Sequence, residues 1–581
     1  MPSTHVPRPE HPNPQLRRDD WLNLNGTWSF AFDFGRSGRE AGLPRSTGFD
    51  RSIVVPFCPE SSLSGVGHTD FIPAMWYHRT IRMPQGWAGR RILLHFGGVD
   101  YQSEVYVDGR SVGLNFGGGV GFVCDITDHL RPGRDHHLVV RVHDDVRSGH
   151  QPAGKQSARL HSHGCHYTRV TGIWQTVWLE AVAPGGIRDL HIASDLAGGR
   201  LIVTPRCWSA RPGLTWGITA DDGAKTSGPL IEGTPLVLQL DKPTPWSPDN
   251  PHLVGLTIEV RDDGQVIDRL TSYAGLRQIT WDHRRVYLNG EPIFLRLVLD
   301  QGYYPDGIWT APDDGALRRD IDLARAAGFN GARLHQKVFE PRFHYWADRL
   351  GYLTWGESAS WGVRAGDDRA MRNFFDEWRR IVVRDRNHPS IIAWTPFNEV
   401  WPRPMPDDVR RSLDQAYDLT RAIDPTRPVN TASGGNWSKL DLVTFHDYAQ
   451  APATLAAHLA DAFAGGTTGN VEEGVAAAAD RPRLLDEFGG TWWNPAAAVS
   501  TDRDQSWGYG NAPASVDDWH ARVDGLARAV VDHPDWAGYC YTQLTDVEQE
   551  QNGVYFYDRS PKFDPARLGR TFSRRPDWSR W

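Results

Sequence analysis

The chain has 581 residues, too long for one hydrophobic core, so its length predicts three or four domains. A net charge of −8 excludes the basic field that a nucleic-acid backbone requires, and the absence of any run of 18 apolar residues predicts no membrane span. The 25 Trp, 17 Tyr and 22 Phe supply flat apolar faces of the kind that stack on sugar rings, a leaning toward carbohydrate.

In chain order, the first 182 residues read as strand and turn. "WSFAFDF", "SIVVPF", "WYHRTIRM", "RILLHFGGV", "HLVVRVHD" and "TVWLEAV" are short β-rich runs separated by Gly, Pro and Asp, and "VYVDGRSVG" centres on an Asp-Gly hairpin signal. An N-terminal β-sandwich over 1–182 is expected. Residues 183–275 carry strands at short spacing with a Pro-rich loop, "KPTPWSPDNPH", and predict a small immunoglobulin-like sandwich. From 276 to 581, β-type and α-type segments alternate. The strand candidates are 293–299, 331–336, 352–357, 391–399, 429–433, 442–448, 483–489 and 537–544. Helical patterns with Asp or Ser starts and Gly or Pro stops lie between most of them, although only a loop joins the fifth to the sixth. This is the pattern of a (β/α)₈ barrel.

Five cysteines (Cys58, Cys124, Cys165, Cys207, Cys540) match neither a zinc site nor a disulfide framework. The opening "MPSTHVPRPEHPNPQLRRDDW" lacks an apolar signal segment, so a cytoplasmic protein with free thiols is expected.

Active sites of such barrels lie at the C-terminal ends of the strands. The predicted ends carry Arg333 and His335, Glu357, Asn398 and Glu399, then His446, Asp447 and Tyr448, then Asp486 and Glu487, and last Gln543 and Asp546. Two glutamates end apolar strands in similar settings, "WTPFNEV" and "LLDEFGG", 88 residues apart. At about 30 residues per βα unit they end the fourth and seventh strands, which face each other across the mouth. Facing carboxylates about 5 to 5.5 Å apart are what retaining glycoside hydrolysis uses, one protonating the leaving oxygen and one attacking the anomeric carbon. Like charges that close, one of them in an apolar strand, predict a raised pKa for the acid.

The motifs "LNLNGTWSF", "HFGGVDYQSEVYVDG", "CDITDHLRPG" and "TGIWQTVWLE", together with "NHPSIIAWTPFNE" and "DEFGG", make the chain resemble glycoside hydrolase family 2, the β-galactosidase, β-glucuronidase and β-mannosidase group. The resemblance covers essentially the whole chain. It implies a jelly-roll sugar-binding-like sandwich, an immunoglobulin-like sandwich and a TIM barrel. It also implies a retaining exo-hydrolase of an oligosaccharide or glycoside, with Glu399 as acid/base and Glu487 as nucleophile. Asn398 would bind the sugar 2-hydroxyl, Tyr448 would stand close to the nucleophile and Arg333 would orient it. His335 and Gln336 stand where many members show a Ser-His pair. Members often form dimers or tetramers, so a homo-oligomer is expected by analogy alone.

The departures narrow the choice. β-Glucuronidases carry an Asn-x-Lys pair that grips the substrate carboxylate, whereas the matching positions here hold Glu550 and Asn552, and Glu550 would repel a uronate. The large β-galactosidases have a further β domain and a magnesium site, but this chain stops soon after the eighth strand and "WGESASWG" lacks the Glu-x-His ligands. No metal and no cofactor are expected. A β-galactosidase-like activity is the first reading, with β-glucosidase, β-mannosidase and arabinosidase or furanosidase activities as alternatives. A non-catalytic sugar-binding protein is the rival from another class, and two opposed glutamates argue against it.

Competing structural readings attach to the lesser candidates. Strand alternation lets only one of Asp486 and Glu487 face the substrate, so Asp486 is expected to pair with an arginine. Glu357 reads equally as substrate ligand or interior ion-pair member, and His446 and Asp447 as sugar ligands or structural hydrogen-bonders. Trp361, Trp401, Trp492 and Trp493 lie in loops after strands three, four and seven and are candidate stacking platforms. The "FGGGVGF" run lacks the strand–helix context of a phosphate loop.

Overall fold

In the computed structural model, residues 6–402, 404–437, 439–464, 480–495 and 505–578 are described. The N-terminal part packs two antiparallel sheets face to face. One has six strands, Arg51–Val55, Gly26–Phe32, Ala74–Arg82, Asp135–His143, Gln102–Val107 and Arg110–Phe116 in spatial order. The other has four, Trp21–Asn23, Val177–Val182, Arg91–Phe96 and Phe122–Asp125. Trp28, Phe30, Met75, Tyr77, Leu94 and Val140 fill the space between them.

A second sandwich pairs a three-stranded sheet, beginning at Ile187–Asp195, with a four-stranded sheet ending in Gln265–Ala274. Its strand Val254–Asp262 alternates buried and half-buried positions, the pattern of a sheet with one wet face. A small three-stranded sheet follows, Ile279–Trp281, Val286–Leu288 and Glu291–Ile293, turned by Asn289 and Gly290, both at positive φ. Its Ile279, Val286 and Leu288 pack on Leu295, Leu353, Ile392 and Leu484 at the starts of the barrel strands. This plug closes the N-terminal end of the barrel and leaves the other end to carry a site.

The barrel sheet runs parallel in the order Ile391–Thr395, Leu353–Glu357, Gly331–Leu334, Leu295–Asp300, Trp536–Thr542, Arg483–Gly489 and Val443–Asp447. Every residue of Ile391–Thr395 is buried, as expected where helices cover a parallel sheet. The fifth strand is reduced. Only Ala432–Ser433 pairs, with Phe397–Asn398, and a single bridge joins Trp394 to Val429. Side chains complete the seam toward the sixth strand, Asn430 and the Gly434 amide both donating to Thr444 Oγ1.

The helices begin where their capping residues put them, the side chains of Asp313, Asp367 and Ser515 accepting from N–H groups of the first turn. Among the described residues no helix is long and apolar enough to cross a membrane.

Candidate active site

The second strand stops at Leu334, and Arg333 sends a wholly buried guanidinium into the barrel mouth. Its Nε donates to Glu357 Oε2 at 2.7 Å, Nη1 to Glu487 Oε1 at 2.9 Å and Nη2 to Asn398 Oδ1 at 2.7 Å. The rigid fork of donors thus ties the ends of the second, third, fourth and seventh strands together. Glu357 has no exposed side-chain surface and also holds His335 Nδ1 at 2.9 Å and the Gln336 amide. Its place is the interior ion pair behind Arg333, and its carboxylate does not face the pocket. His335 is buried with it, its Nε2 3.9 Å from Glu487.

Glu399 and Glu487 meet across the mouth, their nearest oxygens within 4.8 Å of each other and of a His446 nitrogen. Glu399 follows the short pairing of Phe397–Asn398 and donates its amide to Ser433 O at 2.9 Å. Its φ of 49° is left-handed, an uncommon conformation for a residue with a Cβ and one that recurs at functional sites. The apolar strand does not enclose its carboxyl, whose side chain is 23% exposed against 6% for Glu487.

Glu487 accepts from Arg333 and, at 2.6 Å, from the Tyr448 hydroxyl. Burial alone would raise its pKa. His446 and Arg333 reverse that and hold the carboxyl well below the usual range, so it is ionised. Asp486 is the extra residue of a β-bulge opposite Phe445 and His446, which brings both acids toward the mouth. It does form the expected ion pair with an arginine, but closer partners hold it. It accepts from Ser433 Oγ at 2.6 Å and lies 3.4 Å from His446 Nε2, with Arg333 at 3.8 Å.

His446 stands among these acids. Burial lowers its pKa, but Glu487, Asp486 and Glu399 outweigh that and raise it to about 9, so the ring is cationic at neutral pH. Nδ1–H then donates to Glu399 Oε1 at 2.8 Å and Nε2–H to Ser433 Oγ at 2.9 Å. Glu399, His446 and Glu487 could in principle hold a metal ion. An imidazolium has no lone pair to offer one, so the protonated ring opposes that use.

Because the folded value of about 9 exceeds the unfolded value, about 6.5, the stabilisation from His446 is complete below about pH 6.5 and is lost as pH rises through about 9. The melting temperature of the native protein should therefore fall relative to that of a His446→Gln variant across this window. A constant difference between the two from pH 6 to 10 would remove the charge assigned to the ring.

Beside Glu399 opens a cleft of about 440 Å³ lined by Trp361, Trp401, His163 and His166. Trp361 donates from its indole to Asn398 O at 3.3 Å, and Asn398 Nδ2 is buried without a partner. Trp401 is half-buried on this cleft, whereas Trp492 turns its indole to Ser506 Oγ at 3.0 Å and is not among the cleft residues. Asp447 is structural, holding the Ala449 amide and His458. Asp546 pairs with Lys562, and Gln543 bonds to Gln301 and Asn552. Glu550 accepts from the Tyr167 hydroxyl at 2.5 Å and from Asn552 at 3.1 Å.

Sequence reasoning placed the strand-end residues but missed Ser433, Tyr167 and Lys155, the last two carried to the barrel by the N-terminal sandwich. Of these only Tyr167 has a local signal, its position just before the "TGIWQTVWLE" motif.

Three family models match the chain. "Glycosyl hydrolases family 2, sugar binding domain" covers residues 63–161, "Glycosyl hydrolases family 2" covers 217–277, and "Glycosyl hydrolases family 2, TIM barrel domain" covers 286–571. Among curated relatives, a β-galactosidase of Thermoanaerobacter pseudethanolicus is 24% identical over 408 residues, 64% of this chain and 51% of the relative. A β-glucuronidase of Paenibacillus borealis is 23% identical over 453 residues, 73% of this chain and 75% of the relative. The chain thus spans about half the length of the first relative and three quarters of the second. Of solved structures, the Ruminococcus gnavus β-glucuronidase superposes with a TM-score of 0.80 at 18% identity, covering 98% of this chain and 100% of that one. The Lactobacillus rhamnosus β-glucuronidase gives 0.79 at 20% identity, covering 97% and 99%. At these identities the likeness establishes the fold.

Proposed function

Because this chain belongs to glycoside hydrolase family 2, we propose that it is an exo-acting retaining β-glycosidase, β-galactosidase-like in its choice of a neutral sugar. The observation that carries this reading is the pair Glu399 and Glu487, with oxygens within 4.8 Å. Inverting enzymes need about 6.5–9.5 Å to seat a water between their carboxyls, which this separation does not allow.

Ionised Glu487, steadied by Arg333 and Tyr448, attacks the anomeric carbon. As that bond forms, the bond to the leaving oxygen breaks and Glu399 gives that oxygen its proton. Glu399 then takes a proton from water, the hydroxide attacks the same carbon, and Glu487 leaves as the carboxylate. Two inversions give net retention. The unpartnered Asn398 Nδ2 is a donor for the sugar 2-hydroxyl, and the cleft with Trp361 and Trp401 lies on the Glu399 side, where the leaving group departs.

Neutral-sugar preference rests on Glu550 and Asn552, buried where the Asn-x-Lys pair that grips a uronate would otherwise stand. Since relatives bear both galactosidase and glucuronidase names, a panel of nitrophenyl β-glycosides is the test. Galactoside, glucoside, mannoside, glucuronide and both arabinoside ring forms should be compared by kcat/KM. The expected result is cleavage of a neutral glycoside with NMR detection of the retained anomer first. Preferred cleavage of the glucuronide would overturn the sugar assignment, and an inverted first product would overturn the mechanism.

A further inference from the structure

The N-terminal sandwich builds a segment of its chain into the barrel mouth. The Ala153 amide donates to Trp361 O at 2.8 Å, and the Gly154 amide to Ala359 O at 3.1 Å. Gly154 has a φ of 57°, and a Cβ there would sit 2.1 Å from Gln336 O, so only glycine permits this approach. On the other side, the Tyr167 amide donates to Lys155 O at 2.7 Å. Lys155 is therefore fixed by its backbone on both sides, and its side chain is sent inward.

Lys155 is only 5% exposed. Among the described residues its ammonium makes no hydrogen bond or ion pair, only contacts with ring faces. It lies 5.8 Å from the centre of the Trp361 ring and 5.9 Å from that of Tyr167. An ammonium in a largely buried side chain that is held only by ring faces keeps unused N–H donors, which a ligand oxygen would satisfy. The acids around it hold it charged. Burial lowers its pKa, but Glu550, Cys165, Glu487 and Glu399 together raise it above the usual lysine value. Tyr167 links this cation to Glu550, with its ring near the ammonium and its hydroxyl on Glu550 Oε2. Each Glu550 oxygen accepts one hydrogen bond from a protein side chain, which leaves lone pairs on both.

A cation held only by ring faces and a carboxylate with lone pairs to spare, joined through Tyr167, define the group that satisfies both. We propose that Lys155 is a specificity-determining residue that, with Glu550, grips one hydroxyl of a neutral terminal sugar, Lys155 donating to the hydroxyl oxygen and Glu550 accepting its proton. This rests on the exo-glycosidase reading above and adds to it the residue that selects the sugar. A uronate carboxylate has no proton to give Glu550 and would meet it as a like charge. Asn398, beside the catalytic pair, serves a different hydroxyl.

The test uses the full chain with p-nitrophenyl β-D-galactopyranoside and its 2-, 3-, 4- and 6-deoxy analogues, or the same series on whichever sugar the panel identifies. Lys155→Met should lower kcat/KM on the parent glycoside by about 10- to 100-fold, the weight of a hydrogen bond from a charged donor. On one of the 3-, 4- and 6-deoxy analogues that loss should vanish, because the partner hydroxyl is already gone. On the 2-deoxy analogue it should persist in full. Glu550→Gln should show its smallest loss on the same analogue, and it keeps the proposal testable if Lys155→Met does not fold. An equal loss across the series would make Lys155 a structural or field-setting residue and overturn the proposal. So would an unchanged rate, or a native enzyme that prefers the glucuronide and loses that preference in Lys155→Met. A native protein that cleaves no glycoside would instead bring down the exo-glycosidase reading, and this inference with it.

Discussion

Glu487→Gln should lower kcat on every glycoside by roughly 10⁴- to 10⁶-fold, the scale on which removal of a covalent nucleophile acts. The amide cannot form the glycosyl ester, and it also disturbs its neighbours. Arg333 and Tyr448 both offer hydrogens to Glu487 oxygens. Glutamine has one oxygen and one NH₂, so one donor is left facing another at a cost of about 1–3 kcal/mol in stability. Glu487→Asp keeps the charge but withdraws the carboxylate by about a methylene. A displacement near 1 Å is enough for about a 10²-fold loss. The variants should be compared by steady-state kinetics and by intact mass after exposure to a 2-deoxy-2-fluoro glycoside, which stalls the covalent intermediate. The native protein should gain one sugar on the peptide carrying Glu487. Native-like turnover in Glu487→Gln would refute the assignment, as would a sugar attached to Asp486.

What the sequence revealed depended on whether the controlling physics was local. Buried parallel strands must be apolar throughout, so "IIAWT" announces itself, and barrel geometry then brings strand-end residues to one mouth. That is why Arg333, Asn398, Glu399, His446 and Glu487 can be gathered from the sequence. The fifth strand was weaker because only Ala432–Ser433 pairs, and the plug sheet between Ile279 and Ile293 was not separated from its surroundings. Side-chain direction was less legible than position. A β-bulge changes which way Asp486 points, and Glu357 is drawn inward by Arg333 and His335. Lys155 was invisible for another reason. It reaches the site through a backbone crossing between residues 154 and 336, fixed by tertiary packing and allowed by one glycine. No periodicity within a strand or helix encodes such a crossing. The left-handed φ of Glu399 belongs to the same class, a conformation that neighbouring elements impose.

Glu399→Gln should divide substrates by their leaving groups. The first step needs a proton only when the departing oxygen is a poor leaving group. An alkyl or sugar glycoside should therefore lose about 10²- to 10⁴-fold in kcat/KM, the usual weight of general acid catalysis. A dinitrophenyl glycoside, whose phenolate departs unaided, should keep kcat/KM within about tenfold of native, because kcat/KM reports the first irreversible step. Its kcat should nevertheless fall, since the second step still needs Glu399 to take a proton from water, and the glycosyl-enzyme should accumulate as a burst of dinitrophenol. The cleft geometry adds a further expectation. Glu399 lies beside an opening of about 440 Å³, room enough for a small anion such as azide. Because azide needs no general base, it should restore kcat on the activated substrate and yield a glycosyl azide of retained configuration. A uniform loss on activated and natural glycosides alike would assign Glu399 to positioning. An azide product of inverted configuration would mean that no intermediate on Glu487 had formed.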